Sequence, residues 1–191
     1  MRKSIVLGSI AALGLTGQAL AQDGFSYNYL EGNYVTSDGN ADVLGFDNDA
    51  DGFNVRGSVA FTPMFHGYAD FTRLNIDVSN LDVTTWEVGV GLNHSLNSNV
   101  DFVTRAGYLK VDPQGPGDTD GFSLQTGLRT RPMDRVEFDG MAHYIHLPNF
   151  DSTSLVATAR YNFTNMFAGD VGVEFGDHTS TWNLGLRYTF K

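Results

Sequence analysis

The residues in this chain that could do chemistry are few and scattered. Asp47-Asn48-Asp49-Ala50-Asp51-Gly52 places carboxylates at alternate positions and then a glycine, which is how a calcium loop begins. The bidentate glutamate that closes such a loop would fall at position 58, where the chain has Ser58. Asp47, Asp49 and Asp51 are therefore an incomplete metal candidate, suited at most to loose divalent cations at an acidic loop. His178 and Ser180, beside Asp177, bring an imidazole and a hydroxyl together, the minimum for nucleophilic catalysis. No third member is placed for them, and the catalytic set is read as none. His143 and His146 lie three apart, which on a strand means opposite faces and no shared metal. No cofactor motif is present.

A larger set of charges is spaced differently. Arg56, Asp70, Glu87, Arg105, Arg129, Glu137, Asp139, Arg160, Asp170, Glu174 and Arg187 sit inside segments whose neighbours alternate between apolar and polar. Trp182, Leu184, Leu186, Tyr188 and Phe190 alternate with Asn183, Gly185, Arg187 and Thr189. Successive side chains of a strand point to opposite faces, so one face is apolar and ringed by aromatics while the other carries the arginine. A strand between lipid and a wet lumen has this pattern. The same split runs through Phe53 to Thr62, Trp86 to Asn93, Phe122 to Arg129 and Leu155 to Phe163. The pattern around residues 65–76 and 100–111 is mixed and leaves the facing open. An arginine or carboxylate facing lipid at mid-depth costs about 2–4 kcal/mol, so the charges belong inside, paired as Arg–carboxylate bridges.

Short similar turns punctuate the chain at Phe61-Thr62-Pro63-Met64-Phe65, Leu96 to Val100, Arg131 to Arg135 and Phe163-Thr164-Asn165-Met166-Phe167. Between them lie longer acidic segments: Ser37 to Asp51, Asp77 to Asp82, Asp112 to Asp120, Pro148 to Ser152 and Asp177 to Ser180. Short turns alternating with long loops predict an all-β, antiparallel up-and-down transmembrane barrel of about ten strands, or eight if the first strand or one hairpin fails. The predicted strands are 25–36, 52–62, 65–76, 83–96, 100–111, 121–131, 135–147, 154–164, 167–176 and 181–190.

The chain has 191 residues, a formal charge of -10 and no cysteine. Arg2 and Lys3, the apolar run Ile5 to Leu15 and Ala19-Leu20-Ala21 read as a signal peptide over 1–21, leaving 22–191 as the barrel domain. Removing this leader removes basic residues and no acid, so nucleic acid is a poor partner. The absence of cysteine excludes a disulfide scaffold.

With these residues in hand, the chain resembles the small OmpA/OmpX-like barrels of proteobacterial outer membranes, and among them a family associated with outer-membrane vesicles. The resemblance rests on Ser26-Tyr27-Asn28-Tyr29-Leu30-Glu31-Gly32, on Trp86-Glu87-Val88-Gly89-Val90-Gly91, and on the turns ending Met64-Phe65-His66 and Asn99-Val100-Asp101. It implies insertion by the barrel-assembly machinery with periplasmic chaperones, contact with outer-membrane lipid and lipopolysaccharide, release in vesicles, and no enzyme chemistry. Trp182, Leu184, Leu186, Tyr188 and Phe190 would be the assembly signal; Lys191 after Phe190 departs from the usual aromatic end.

The expectation is a non-enzymatic barrel with acidic outer loops, acting in envelope structure or surface interaction, its lumen largely filled. A narrow porin-like pore is the alternative. Two further readings are a lipid A-modifying enzyme using His178 and Ser180, and a soluble barrel with an apolar interior.

Overall fold

The computed structural model describes residues 24–39, 49–76, 81–114, 117–148, 150–176 and 179–191. The predicted signal peptide, Asp47, Asp177 and His178 lie outside them. Ten strands follow one another: β1 (Tyr29–Gly39), β2 (Ala50–Ala60), β3 (Phe65–Ile76), β4 (Leu81–Asn97), β5 (Val100–Pro113), β6 (Thr119–Met133), β7 (Val136–Leu147), β8 (Phe150–Asn162), β9 (Phe167–Phe175) and β10 (Thr179–Thr189). Each pairs antiparallel with its sequence neighbours, and β1 pairs with β10 from Tyr29↔Thr189 to Gly39↔Thr179. The sheet is thus a closed barrel with no free edge, and the eight-stranded alternative is set aside.

Side-chain alternation decides what the wall presents. On β10, Leu184 and Leu186 are each 68% exposed on the outer surface while Arg187 is 5% exposed inside. Trp86, Val88, Val90, Leu124, Leu155 and Val171 are also exposed, and Glu87, Ser123, Arg160 and Asp170 are buried. An apolar exterior around a polar interior rules out the soluble barrel, which needs the reverse. The strands whose facing the pattern left open resolve the same way. On β3, His66, Tyr68 and Asp70 are buried between exposed Phe65 and Ala69. On β5, Asp101, Val103 and Leu109 point in while Phe102 and Tyr108 point out.

The two most similar turns fold alike. Thr62 Oγ1 accepts the Met64 and Phe65 amides, and Thr164 Oγ1 accepts those of Met166 and Phe167. These threonine-capped turns define one end of the barrel, the turn end; the acidic connections define the loop end.

Two expectations need correction. Pro148 to Ser152 is not a long loop, because β8 begins at Phe150 and Leu147 already pairs with it. The first strand begins at Tyr29, not Phe25. The β1–β2 ladder stops at Tyr29↔Ser58 although β2 runs on to Ala60; Asn28 Oδ1 accepts the Ala60 amide, and residues 25–27 turn into the lumen.

Candidate functional site: the charged lumen

Strand register places opposite charges side by side. Across the wall, Asp70 faces Arg56, Arg56 faces Glu31, and Glu31 faces Arg187. A second row runs Asp170, Arg160, Glu137. Opposite charges at directly paired positions attract, and here they do so away from bulk water. Arg56 Nε lies 2.7 Å from Asp70 Oδ2, and Arg187 Nε donates to Glu31 Oε2 at 2.6 Å. The Arg187 guanidinium also stacks 3.8 Å over the Tyr29 ring. Glu137 accepts from Arg129 at 2.7 Å and from Arg131 at 2.8 Å, with Arg160 at 3.4 Å. Arg160 reaches Asp139 at 3.2 Å and lies 3.9 Å from Asp170. Among the described residues neither Asp170 oxygen accepts a hydrogen bond.

All the charges singled out in the sequence point into the lumen, but not all meet a charge of opposite sign. Glu87 accepts from the Tyr68 and Ser123 hydroxyls, each at 2.5 Å. Glu174 accepts from Ser154 and lies 3.1 Å from His143 Nδ1. Arg105 reaches His66 Nε2 at 3.4 Å and the Tyr29 hydroxyl at 3.5 Å, with the Tyr68 ring 5.8 Å away. Members absent from the sequence reading are Glu31, Asp101, Arg131, His66 and the inward tyrosines. Their signal was the even spacing of Tyr29, Glu31 and Asn33 against Leu30 and Tyr34, which marks an inner face.

The turn-end mouth is filled by the segment before β1. Phe25 and Tyr27 are each only 3% exposed and pack with Val103 and Met141. Tyr27 donates to Asp101 Oδ2 at 2.8 Å and stacks on His66, ring centroids 4.7 Å apart. Arg129 lies over both aromatic rings and donates to the Ser26 carbonyl at 3.1 Å. Arg131 lies 4.6 Å over Phe25 and donates to the Gly24 carbonyl at 3.3 Å. His66 fits because its cross-strand partner is Gly91; any side chain there would collide with the imidazole. Although His66 stands next to a turn, the structure buries it completely.

The remaining candidates gain little. Asp49 and Asp51 are exposed, and Asp51 accepts from the Tyr34 hydroxyl at 3.3 Å. Among the described residues no group of three or more His, Asp or Glu could hold a metal. Ser180 lies in β10 opposite Phe175, with His178 outside the described residues. His143 points inward and His146 outward, where His146 and Tyr144 both contact Asp151 Oδ1 at 2.6 Å. Trp182, Leu184, Leu186 and Tyr188 form the outer face of β10, with Phe190 just past its end and Tyr188 5.2 Å from Phe167. Two mostly apolar grooves of about 770 and 810 Å³ on the outer wall lie over small residues such as Gly32 and Ala157, and their linings also include Arg160 and Asp170 in the first and Asp139 in the second.

No family model and no curated protein matches the chain by sequence. Solved structures do match its shape. The KdgM porin in complex with disordered oligogalacturonate is 11% identical with a TM-score of 0.53, over 85% of this chain and 99% of that one. The NanC porin is 9% identical with a TM-score of 0.58, over 84% and 100%. An outer-membrane channel from Pseudomonas putida F1 is 8% identical with a TM-score of 0.54, over 91% and 100%. At these identities the likeness establishes the fold, that of the outer-membrane β-barrels.

Proposed function

We propose that this protein is an integral outer-membrane barrel with an occluded lumen, non-enzymatic, serving envelope structure or surface interaction. The observation that carries this is the occupied turn-end mouth: Phe25 and Tyr27 are packed inside it, beyond buried Arg–carboxylate bridges that line and narrow mid-lumen. Ten strands lie between barrels that side chains can fill and porins with open channels, so the filling is decided by the residues themselves. The exposed leucines, valines and aromatics supply the lipid-facing belt, and acyl chains would fill the outer grooves. On this reading the turn end faces the periplasm and the acidic loops face outward, against lipopolysaccharide and any divalent ions it carries. The assembly machinery would read the β10 aromatics, and release in outer-membrane vesicles belongs to the same proposal.

A porin-like role is the second reading, favoured by the likeness to channel barrels and by the partial exposure of Arg56 and Arg105. A deletion strain separates the two. Occlusion predicts weakened resistance to detergents and large antibiotics with unchanged uptake of small solutes. Slowed solute uptake with an intact barrier would overturn it in favour of the pore.

A further inference from the structure

Every wall group that grips the N-terminal segment keeps a second partner in the wall itself. Arg129 and Arg131 hold Ser26 and Gly24 carbonyls, yet both are bridged to Glu137. Asp101 accepts from Tyr27 through one oxygen and from Ser95 Oγ, at 2.7 Å, through the other. His66 stacks on Tyr27 through its face and lies 3.3 Å from Asn93 Oδ1 through its edge. If the segment left, none of these buried polar groups would lose its last partner, which is the costly outcome for a buried charge.

The segment also has a defined pivot. The Asn28 carbonyl accepts from the Phe190 amide at 3.1 Å, and its Oδ1 accepts from the Ala60 amide at 2.7 Å. Asn28 is therefore tied to both neighbouring strands, while Gly24 to Tyr27 contact the lumen only through side chains of the wall and through carbonyls that water could satisfy. A covalently continuous strand, by contrast, would be locked by its ladder hydrogen bonds.

We propose that residues 24–27 are a detachable stopper, and that its release turns the barrel into a conditional pore for small cations. The cation preference follows from the walls. Around the described lumen, carboxylates outnumber arginines, and Asp170 sits without a hydrogen-bonded partner. With the mouth open, that excess negative charge in a low-dielectric tube raises the local cation concentration and repels anions. This inference rests on the occluded-lumen reading.

The test compares folded proteins in planar bilayers under a potassium chloride gradient: the mature chain, a chain lacking residues 24–27, and a full-length chain carrying Phe25→Ser with Tyr27→Ser. Folding of each is checked first by heat-modifiable gel mobility, and the full-length double substitution covers the case in which the deletion does not fold. The expected result is a silent mature chain and discrete steps from the altered chains, with a reversal potential on the potassium side. Altered chains that fold and stay silent would overturn the stopper and leave occlusion standing. A mature chain that conducts as well as the altered ones would overturn occlusion and the stopper together. Steps that favour chloride would overturn the cation assignment.

Discussion

Glu137 is the residue on which most of the lumen chemistry converges, because guanidinium groups of Arg129, Arg131 and Arg160 all meet its two oxygens. Removing one partner of a buried ion pair strands the others, at about 3–5 kcal/mol. Glu137→Ala is therefore expected to lose about that much unfolding free energy, measured by reversible urea unfolding in detergent micelles. Tyr68→Phe leaves Glu87 with Ser123 alone and should cost about 1–3 kcal/mol in the same assay. Asp118→Asn, on an exposed pair with Lys110, should leave stability unchanged in that assay. Three equal losses would contradict the burial of the network. The charges of this network were legible in the sequence because each interrupts an apolar alternation. Tyr29, Tyr68 and His66 were not, since a tyrosine or histidine near a strand end suits a membrane interface as well as a lumen. Only the closed barrel distinguishes the two, since register sets Gly91 beneath His66 and closure lets Arg105 reach Tyr29 across the lumen.

At the scale of the strand, alternation specified nearly everything, because a slip of one residue would expose arginines to lipid and turn leucines onto carboxylates. Position 187 shows the consequence directly: an arginine is tolerated there, next to Leu186, because it faces Glu31. Leu184→Arg places the same side chain on the opposite face and should lower membrane folding stability by about 2–4 kcal/mol. Asn183→Ser, on the lumen face, should leave insertion yield near that of the parent. Equal yields for the two variants in vesicle-insertion assays would contradict the facing. The element the sequence misplaced is the start of β1. Phe25, Tyr27 and Tyr29 continue the two-residue period of the inner face, so the strand looked longer than it is. What ends it is not its own composition but the turn of residues 25–27 into the lumen, where Asp101, Arg129 and Arg131 hold the segment, a tertiary fact that no local pattern carries.

At the scale of the molecule, closure follows from β1 meeting β10 along their full lengths, and an apolar exterior follows from closure around a charged core. The strand count was readable from the rhythm of turns; which side chains meet inside the lumen was not, because they are brought together from every strand. The account stands on the proposed occlusion of that lumen. Single-channel recording of the intact, folded mature protein in a planar bilayer tests it most directly. It predicts a flat baseline across the voltage range, with folding verified in the same preparation. Discrete, reproducible conductance steps from the intact protein would contradict it.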